Sequence, residues 1–139
     1  MTATLEFDAR TIAEGRGEGD ALVSSEPISF YGAVDIETGT VIEDGHQLEG
    51  ENIAGSVLVF PKGKGSTVGS YVLYGLAKTG TAPAAIVTQE AETIVATGAI
   101  LGEIPCVDGI DTVASKLSNG DRVLVDASAG TVEVRNRGE

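Results

Sequence analysis

A glycine-rich segment near the middle of the chain carries the side chains best suited to bind an anion. It follows an apolar strand pattern that ends at Phe60, and it precedes a helical pattern that begins at Val68. The first N–H groups and the positive dipole end of a helix attract carboxylates or phosphates, and lysine side chains add charge. We therefore expect an anionic ligand to contact Lys62, Gly63, Lys64, Gly65 and Thr67, close to the hydroxyl of Ser66.

The segment has only a superficial likeness to a nucleotide-binding P-loop. That motif places Gly-Lys directly before Ser or Thr, whereas Lys64 is followed here by Gly65. We therefore do not expect this chain to bind ATP or GTP. A simpler role stays open at this point, because Ser66 or Thr67 alone could cap the helix that follows.

Three other residues of reactive type stand apart from this segment. We expect His46, the only histidine, either to lie in solvent or to hydrogen-bond its own loop. Asp35 is positioned to cap a turn, and Cys106, the only cysteine, lies in an apolar run typical of a buried side chain. Zinc and iron–sulfur sites need three or four protein ligands. We therefore expect no metal ion to be held by this chain.

Charge and hydropathy narrow the classes of partner. The 139 residues include 21 acidic and 9 basic side chains, which gives a net charge of −12. This balance opposes binding to nucleic acids and to anionic membranes, and it suits either a high-salt cytoplasm or an ordinary acidic surface. The sequence shows neither an apolar run of about 20 residues nor a secretory leader. We expect one domain over residues 1–139, located in the cytoplasm.

The elements around the segment predict a mixed α/β domain, with a curved or barrel-like sheet and flanking helices. One helix follows Val68 and stops before Gly80, a second covers residues 91–102, and a helical turn lies within residues 111–117. The glycine-rich residues 14–20 are expected to form a turn or loop. Strands are predicted over residues 3–12, 21–25, 28–34, 53–60, 84–88 and 104–107, with a C-terminal hairpin of residues 122–126 and 131–135.

Several stretches of the sequence resemble the small subunit of the aconitase X family. The similarity covers residues 15–126 and is carried by residues 27–35, 60–87 and 98–105. Residues 65–72 are similar to the run found in the archaeal phosphomevalonate dehydratase branch of that family. The hydroxyproline dehydratase branch typically has cysteine after the serine, so Thr67 and Tyr71 favour the mevalonate branch.

The resemblance implies a fold, an activity and a partner. The fold would be similar to the swivelling β/β/α domain of aconitase. The activity would be that of a hydro-lyase of the isoprenoid pathway, which dehydrates 5-phosphomevalonate to trans-anhydromevalonate 5-phosphate with Ser66 as the proton acceptor. A large catalytic subunit would complete the enzyme, as a heterodimer or larger complex, and would hold a 4Fe-4S cluster beside a small anionic substrate. Two alternatives stay open, namely the small subunit of a cis-3-hydroxy-L-proline dehydratase and a non-catalytic anion-binding module.

Overall fold

The computed structural model describes residues 4–63 and 68–135 of the chain. Within these residues, the strands are β1 (Thr4–Asp8), β2 (Arg10–Ala13), β3 (Arg16–Val23), β4 (Val57–Lys62), β5 (Ala85–Glu90), β6 (Cys106–Asp108), β7 (Arg122–Asp126) and β8 (Thr131–Arg135). The helices are α1 (Gly69–Thr79), α2 (Thr93–Gly102) and the short α3 (Val113–Lys116). The predicted mixed α/β class is therefore confirmed. None of the helices in this described part is both long and apolar enough to span a membrane.

The described strands form one sheet in the order β1-β8-β7-β3-β4-β5-β6-β2. The four strands from β3 to β6 run parallel, and the strands on either side of them are antiparallel. β1 and β2 lie at opposite edges although only Ala9 separates them in the chain, so the sheet curls until its edges approach. No ladder joins these edges over the described residues. The barrel-like sheet expected from the sequence is therefore curled but not closed.

Two cores on opposite faces of the parallel strands give the fold its three layers. β3 is shared, because Arg16–Asp20 pairs with β7 whereas Ala21–Val23 pairs with β4. One core fills the space between the parallel strands and the antiparallel half, and it contains Val59 and Val125. The other core contains Leu73 and lies between the parallel strands and the pair α1 and α2. The order of layers is β/β/α, as the resemblance implied.

The first helix forms and ends as its sequence predicts. Val72, Leu73 and Leu76 are buried on one face of α1, which is the spacing of an amphipathic helix. Gly80 ends the helix in the left-handed conformation with a φ of 81°, which glycine adopts without steric cost. The helix therefore begins directly after the glycine-rich segment and packs on the sheet behind it.

The prediction of a turn or loop over residues 14–20 is wrong, because β3 begins at Arg16. The glycines that indicated a turn instead allow β3 to pack closely against the backbone just before β5 and just before β4. A Cβ atom on Gly17 would lie 2.0 Å from the carbonyl oxygen of Ala84, and one on Gly19 would lie 2.5 Å from that of Gly55. Only glycine fits at such approaches of one backbone to another.

The predicted strand over residues 28–34 is also wrong. Ile28 and Val34 each form a single isolated bridge, and residues 31–33 form a turn between them. The apolar character of this stretch arises from burial, since Ile28 and Phe30 belong to the core under the helices. Apolar runs of this length do not distinguish a strand from a buried loop.

Candidate functional site

The carboxyl ends of the parallel strands meet at the edge of the sheet where the glycine-rich segment leaves β4. β4 ends at Lys62, β5 at Glu90 and β6 at Asp108, and Lys62 lies opposite Glu90 in the ladder. In open α/β sheets, ligands bind outside the carboxyl ends of the strands. The fold therefore brings the segment identified from the sequence to the edge of the sheet that commonly holds ligands.

Two of the six predicted site residues lie within the described part of the chain. Lys62 is exposed at the end of β4, and Gly63 is buried directly after it. The other four lie outside the described residues: Lys64, Gly65, Ser66 and Thr67.

The start of α1 bears on the alternative that the serine only caps the helix. α1 begins at Gly69 with Val68 in the N-cap position, and no side-chain hydrogen bond caps the helix there. Ser66 and Thr67 therefore precede the N-cap position by two residues and one residue. Val68 itself has helical dihedral angles, with φ −60° and ψ −21°, and the two hydroxyls of the capping alternative lie outside the described residues, so that alternative stays a prediction.

The described residues before and after residues 64–67 pack on the first turns of α2. A Cβ atom on Gly63 would lie 2.7 Å from Cγ2 of Val95, and one on Gly69 would lie 3.1 Å from Cγ2 of Ile94. The buried hydroxyl of Ser70 donates a hydrogen bond of 3.1 Å to the carbonyl oxygen of Ile94. These contacts hold the described chain on both sides of residues 64–67 against α2.

The end of β4 is also held by hydrogen bonds from the sheet and from the loop before it. The fully buried hydroxyl of Thr88 donates to the carbonyl oxygen of Pro61 over 2.9 Å. The N–H group of Ile28 donates to the carbonyl oxygen of Lys62 over 3.1 Å. The Lys62 side chain therefore projects from a backbone that is bonded on both sides.

His46 and Asp35 hold the loop between β3 and β4. His46 is buried, its Nδ1 accepts the N–H of Leu48 over 3.0 Å, and its Nε2 lies 3.1 Å from the carbonyl oxygen of Pro27. These partners fit the tautomer protonated at Nε2. The expectation that His46 bonds its own loop is confirmed. Asp35 accepts the N–H of Glu37 over 2.9 Å, which confirms the predicted turn.

Cys106 is fully buried, as the sequence predicted. Burial, and then the nearby carboxylate of Asp108, raises the pKa of its thiol to about 12. The thiolate that metals and nucleophilic reactions require is therefore disfavoured. Within the described residues, no group of three or more potential metal ligands occurs. A single buried thiol does not provide the ligand set of an iron–sulfur cluster.

An ion pair at the end of β6 was not identified from the sequence. Asp108 is fully buried and accepts two hydrogen bonds from Arg10, 2.8 Å from Nε and 2.7 Å from Nη2. The hydrogen bond with Asp108, and then the charge of Asp108, raises the pKa of Arg10 above its ordinary value. The two residues lie 98 positions apart, so neither spacing nor local pattern indicates that they meet.

An open groove of about 290 Å³ runs between α1 and α2, beside the segment. Large apolar side chains line it in part, and Tyr71 and Leu101 are 69% and 48% exposed. Val68, next to the segment, is also exposed. Neighbouring exposed apolar side chains are typical of surfaces that a partner covers.

Comparisons with known proteins agree on one family. A family model described as the aconitase X swivel domain matches residues 6–134. The chain is 53% identical to the "Phosphomevalonate dehydratase small subunit" of Thermococcus kodakarensis, over 97% of this chain and 100% of that protein. It is also 53% identical to the protein of the same name in Methanosarcina mazei, over 97% of this chain and 94% of that protein. A crystal structure of Thermococcus kodakaraensis aconitase X in the holo-form superposes on this chain with a TM-score of 0.90 and 54% sequence identity. The superposition covers 94% of this chain and 98% of that chain.

Proposed function

The chain belongs to the aconitase X swivel-domain family, and on that premise we propose that it is the small subunit of a phosphomevalonate dehydratase. The reaction is the loss of water from 5-phosphomevalonate to give trans-anhydromevalonate 5-phosphate. The observation that carries the proposal is that the two described elements flanking residues 64–67 in the chain, the end of β4 at Lys62 and the start of α1 at Gly69, lie at the carboxyl edge of the parallel strands. The name shared by the two archaeal relatives supports the choice of substrate.

We assign the proton-accepting role to Ser66. A serine hydroxyl is a weak base unless hydrogen-bond donors and positive charge stabilise its alkoxide. The N–H groups at the start of α1 and the side chains of Lys62 and Lys64 are groups of that kind. Ser66 Oγ takes the proton from the carbon next to the substrate carboxylate. The electron pair of that C–H bond forms the double bond as the hydroxyl leaves the neighbouring carbon with its own pair.

The substrate contacts proposed for this chain are electrostatic. A phosphorylated carboxylic acid carries negative charge at both ends, and the chain as a whole has a net charge of −12. Binding therefore depends on local positive charge, which Lys62, Lys64 and the N-terminal end of α1 supply. Gly63, Gly65 and Thr67 would contribute backbone N–H groups and, at Thr67, a hydroxyl.

Departure of the substrate hydroxyl requires a Lewis acid, and the single cysteine of this chain cannot hold an iron–sulfur cluster. An iron–sulfur cluster acts as a Lewis acid toward such a hydroxyl, and we propose that a large subunit holds it, since the thiol of Cys106 is buried alone. The exposed Val68, Tyr71 and Leu101 support contact with that large subunit, because Val68 directly follows the segment and the other two line the groove between α1 and α2. The phosphorylated substrate does not cross membranes readily, which supports a cytoplasmic location for the complex.

Reconstitution with a large subunit of the same family tests the proposal. The small chain alone is expected to be inactive, whereas the purified pair should dehydrate 5-phosphomevalonate and leave cis-3-hydroxy-L-proline unchanged. Activity only on hydroxyproline would assign the chain to the other dehydratase branch. Failure to bind any large subunit, combined with binding of phosphomevalonate by the chain alone, would indicate an anion-binding module.

Ser66→Ala in the reconstituted pair tests the role of the hydroxyl. Removal of a general base is expected to lower kcat by roughly 10²- to 10⁴-fold. Ser118→Ala is the matched control, because Ser118 is an exposed serine in the turn before β7, and it should leave kcat unchanged. A Ser66→Ala complex that retains most of its turnover would refute the assignment.

A further inference from the structure

The buried carboxylate of Asp108 joins three parts of the fold at the edge that carries the segment. It accepts hydrogen bonds from Arg10 on β2 and also accepts the N–H of Ala91 over 2.9 Å. The Asp108 side chain is 1% exposed, whereas that of Arg10 is 70% exposed. Asp108 therefore connects an edge strand, the end of β6 and the chain between β5 and α2.

Ala91 lies between β5 and the start of α2. It is the first residue after β5, and α2 starts two residues later at Thr93. The side chain of Ala91 packs against the core that contains Leu73 and Val95. A hydrogen bond to the backbone of Ala91 therefore fixes the start of α2 relative to β6.

The first turns of α2 contact described residues on both sides of residues 64–67. Gly63 contacts Val95, and Gly69 and Ser70 contact Ile94, as described above. A displacement of the start of α2 would consequently move both attachment points of the segment together. The path from Asp108 to the segment consists of one hydrogen bond and one helical turn.

We infer that Asp108, held by Arg10, is a positioning residue: through Ala91 and the first turns of α2 it holds Gly63 and Gly69, the described residues that lie on either side of Ser66 in the chain. The inference rests on the catalytic role proposed for Ser66. Replacement of a whole buried ion pair by apolar residues is often neutral or stabilising, so the pair is weak evidence of a role in stability, although removal of Arg10 alone would leave the buried carboxylate unpaired and destabilise the fold. A bidentate pair does fix direction, because the planar guanidinium matches the two carboxylate oxygens.

The test compares arginine variants in the reconstituted complex. Arg10→Met removes both hydrogen bonds to Asp108, and it should lower kcat about tenfold with KM changed by less than about twofold, since misplacement of a catalytic group acts on the chemical step. Arg10→Lys retains the charge and one donor, so it should restore part of the loss. Arg122→Met is the matched control, because Arg122 also contacts two carboxylates, Glu18 and Asp20, but on the β3–β7 ladder away from the segment.

Hydrogen exchange of the amides of residues 69–72 provides a readout that does not depend on turnover. The exchange rate of these amides should be higher in the Arg10→Met complex than in the parent complex and in the Arg122→Met complex. If the parent complex does not dehydrate phosphomevalonate, the proposed function fails while the exchange data still test the positioning role. Unchanged exchange and unchanged kcat in a folded Arg10→Met complex would overturn the inference. A loss of kcat that disappears once rates are divided by the folded fraction from circular dichroism would overturn it as well.

Discussion

The contact between α1 and α2 depends on the absence of a side chain at Gly98. A Cβ atom there would lie 2.6 Å from Cδ1 and 2.8 Å from Cβ of Leu73, and 3.1 Å from the carbonyl oxygen of Ser70. Rotation of Leu73 cannot relieve the contact with its own Cβ, so Gly98→Ala must separate the helices by about 1 Å to reach ordinary packing distances. Such overpacking costs up to about 3 kcal/mol.

The helix propensity of alanine opposes this cost. Gly→Ala within a helix gains about 1 kcal/mol, which leaves Gly98→Ala less stable than the parent by about 2 kcal/mol. Gly75→Ala on α1 is the matched control. A Cβ at Gly75 would lie 3.2 Å from Cδ1 of Ile36, the mobile end of a partly exposed side chain. Gly75→Ala should therefore be as stable as the parent or more stable by up to about 1 kcal/mol.

Urea unfolding at equilibrium measures both variants on one scale. The free energies of unfolding should differ by about 2–3 kcal/mol between the two variants, with unchanged m-values. In thermal unfolding, Gly98→Ala should melt about 8 °C below the parent, since about 1 kcal/mol corresponds to roughly 4 °C for a chain of this size. If Gly98→Ala were as stable as Gly75→Ala, close contact between α1 and α2 would not limit residue 98, and the explanation would be refuted.

Two further variants probe the packing of the sheet. Gly17→Ala should prevent folding, because its Cβ would lie 2.0 Å from the carbonyl oxygen of Ala84. Circular dichroism should show no native signal for Gly17→Ala and a native signal for the control Glu18→Ala, which changes the neighbouring exposed residue. For Cys106, the thiol pKa of about 12 in the folded chain exceeds its ordinary value of 9.0. Between these two pH values the thiol is deprotonated in the unfolded chain but not in the folded chain. The free energy of unfolding therefore falls as pH rises. The slope is at most about 1.4 kcal/mol per pH unit, and it should be missing from Cys106→Ala in urea unfolding between about pH 8 and about pH 10.5. Equal slopes in parent and variant would contradict the burial of this thiol.

The elements that could be predicted from the sequence are those specified by neighbouring residues. α1 combines an apolar face with Gly80 as its end, and the hairpin of β7 and β8 alternates around a four-residue turn, so each carries its own signal. Gly17 and Gly19 wrongly indicated a turn, because their role lies in contact with Ala84 and Gly55, far along the chain. No local rule distinguishes a glycine required by packing from one required by a turn.

The same distinction applies to the site. Residues 62–67 are contiguous, so their composition alone indicates an anion-binding segment before a helix. Arg10 and Asp108 come together only because β2 and β6 pair at one edge of the sheet. Their pairing follows from the strand order and from no local pattern in the sequence.

Transfer of deuterium from solvent to the substrate tests the central role of Ser66 most directly. The reconstituted complex is incubated with 5-phosphomevalonate in D₂O, and the recovered substrate is analysed for deuterium at the carbon next to the carboxylate. The parent complex should incorporate deuterium there, and Ser66→Ala should lose both this exchange and product formation by roughly 10²-fold or more. Exchange that continues at the parental rate in Ser66→Ala would mean that another group removes the proton, and the proposed chemistry of this chain would be wrong.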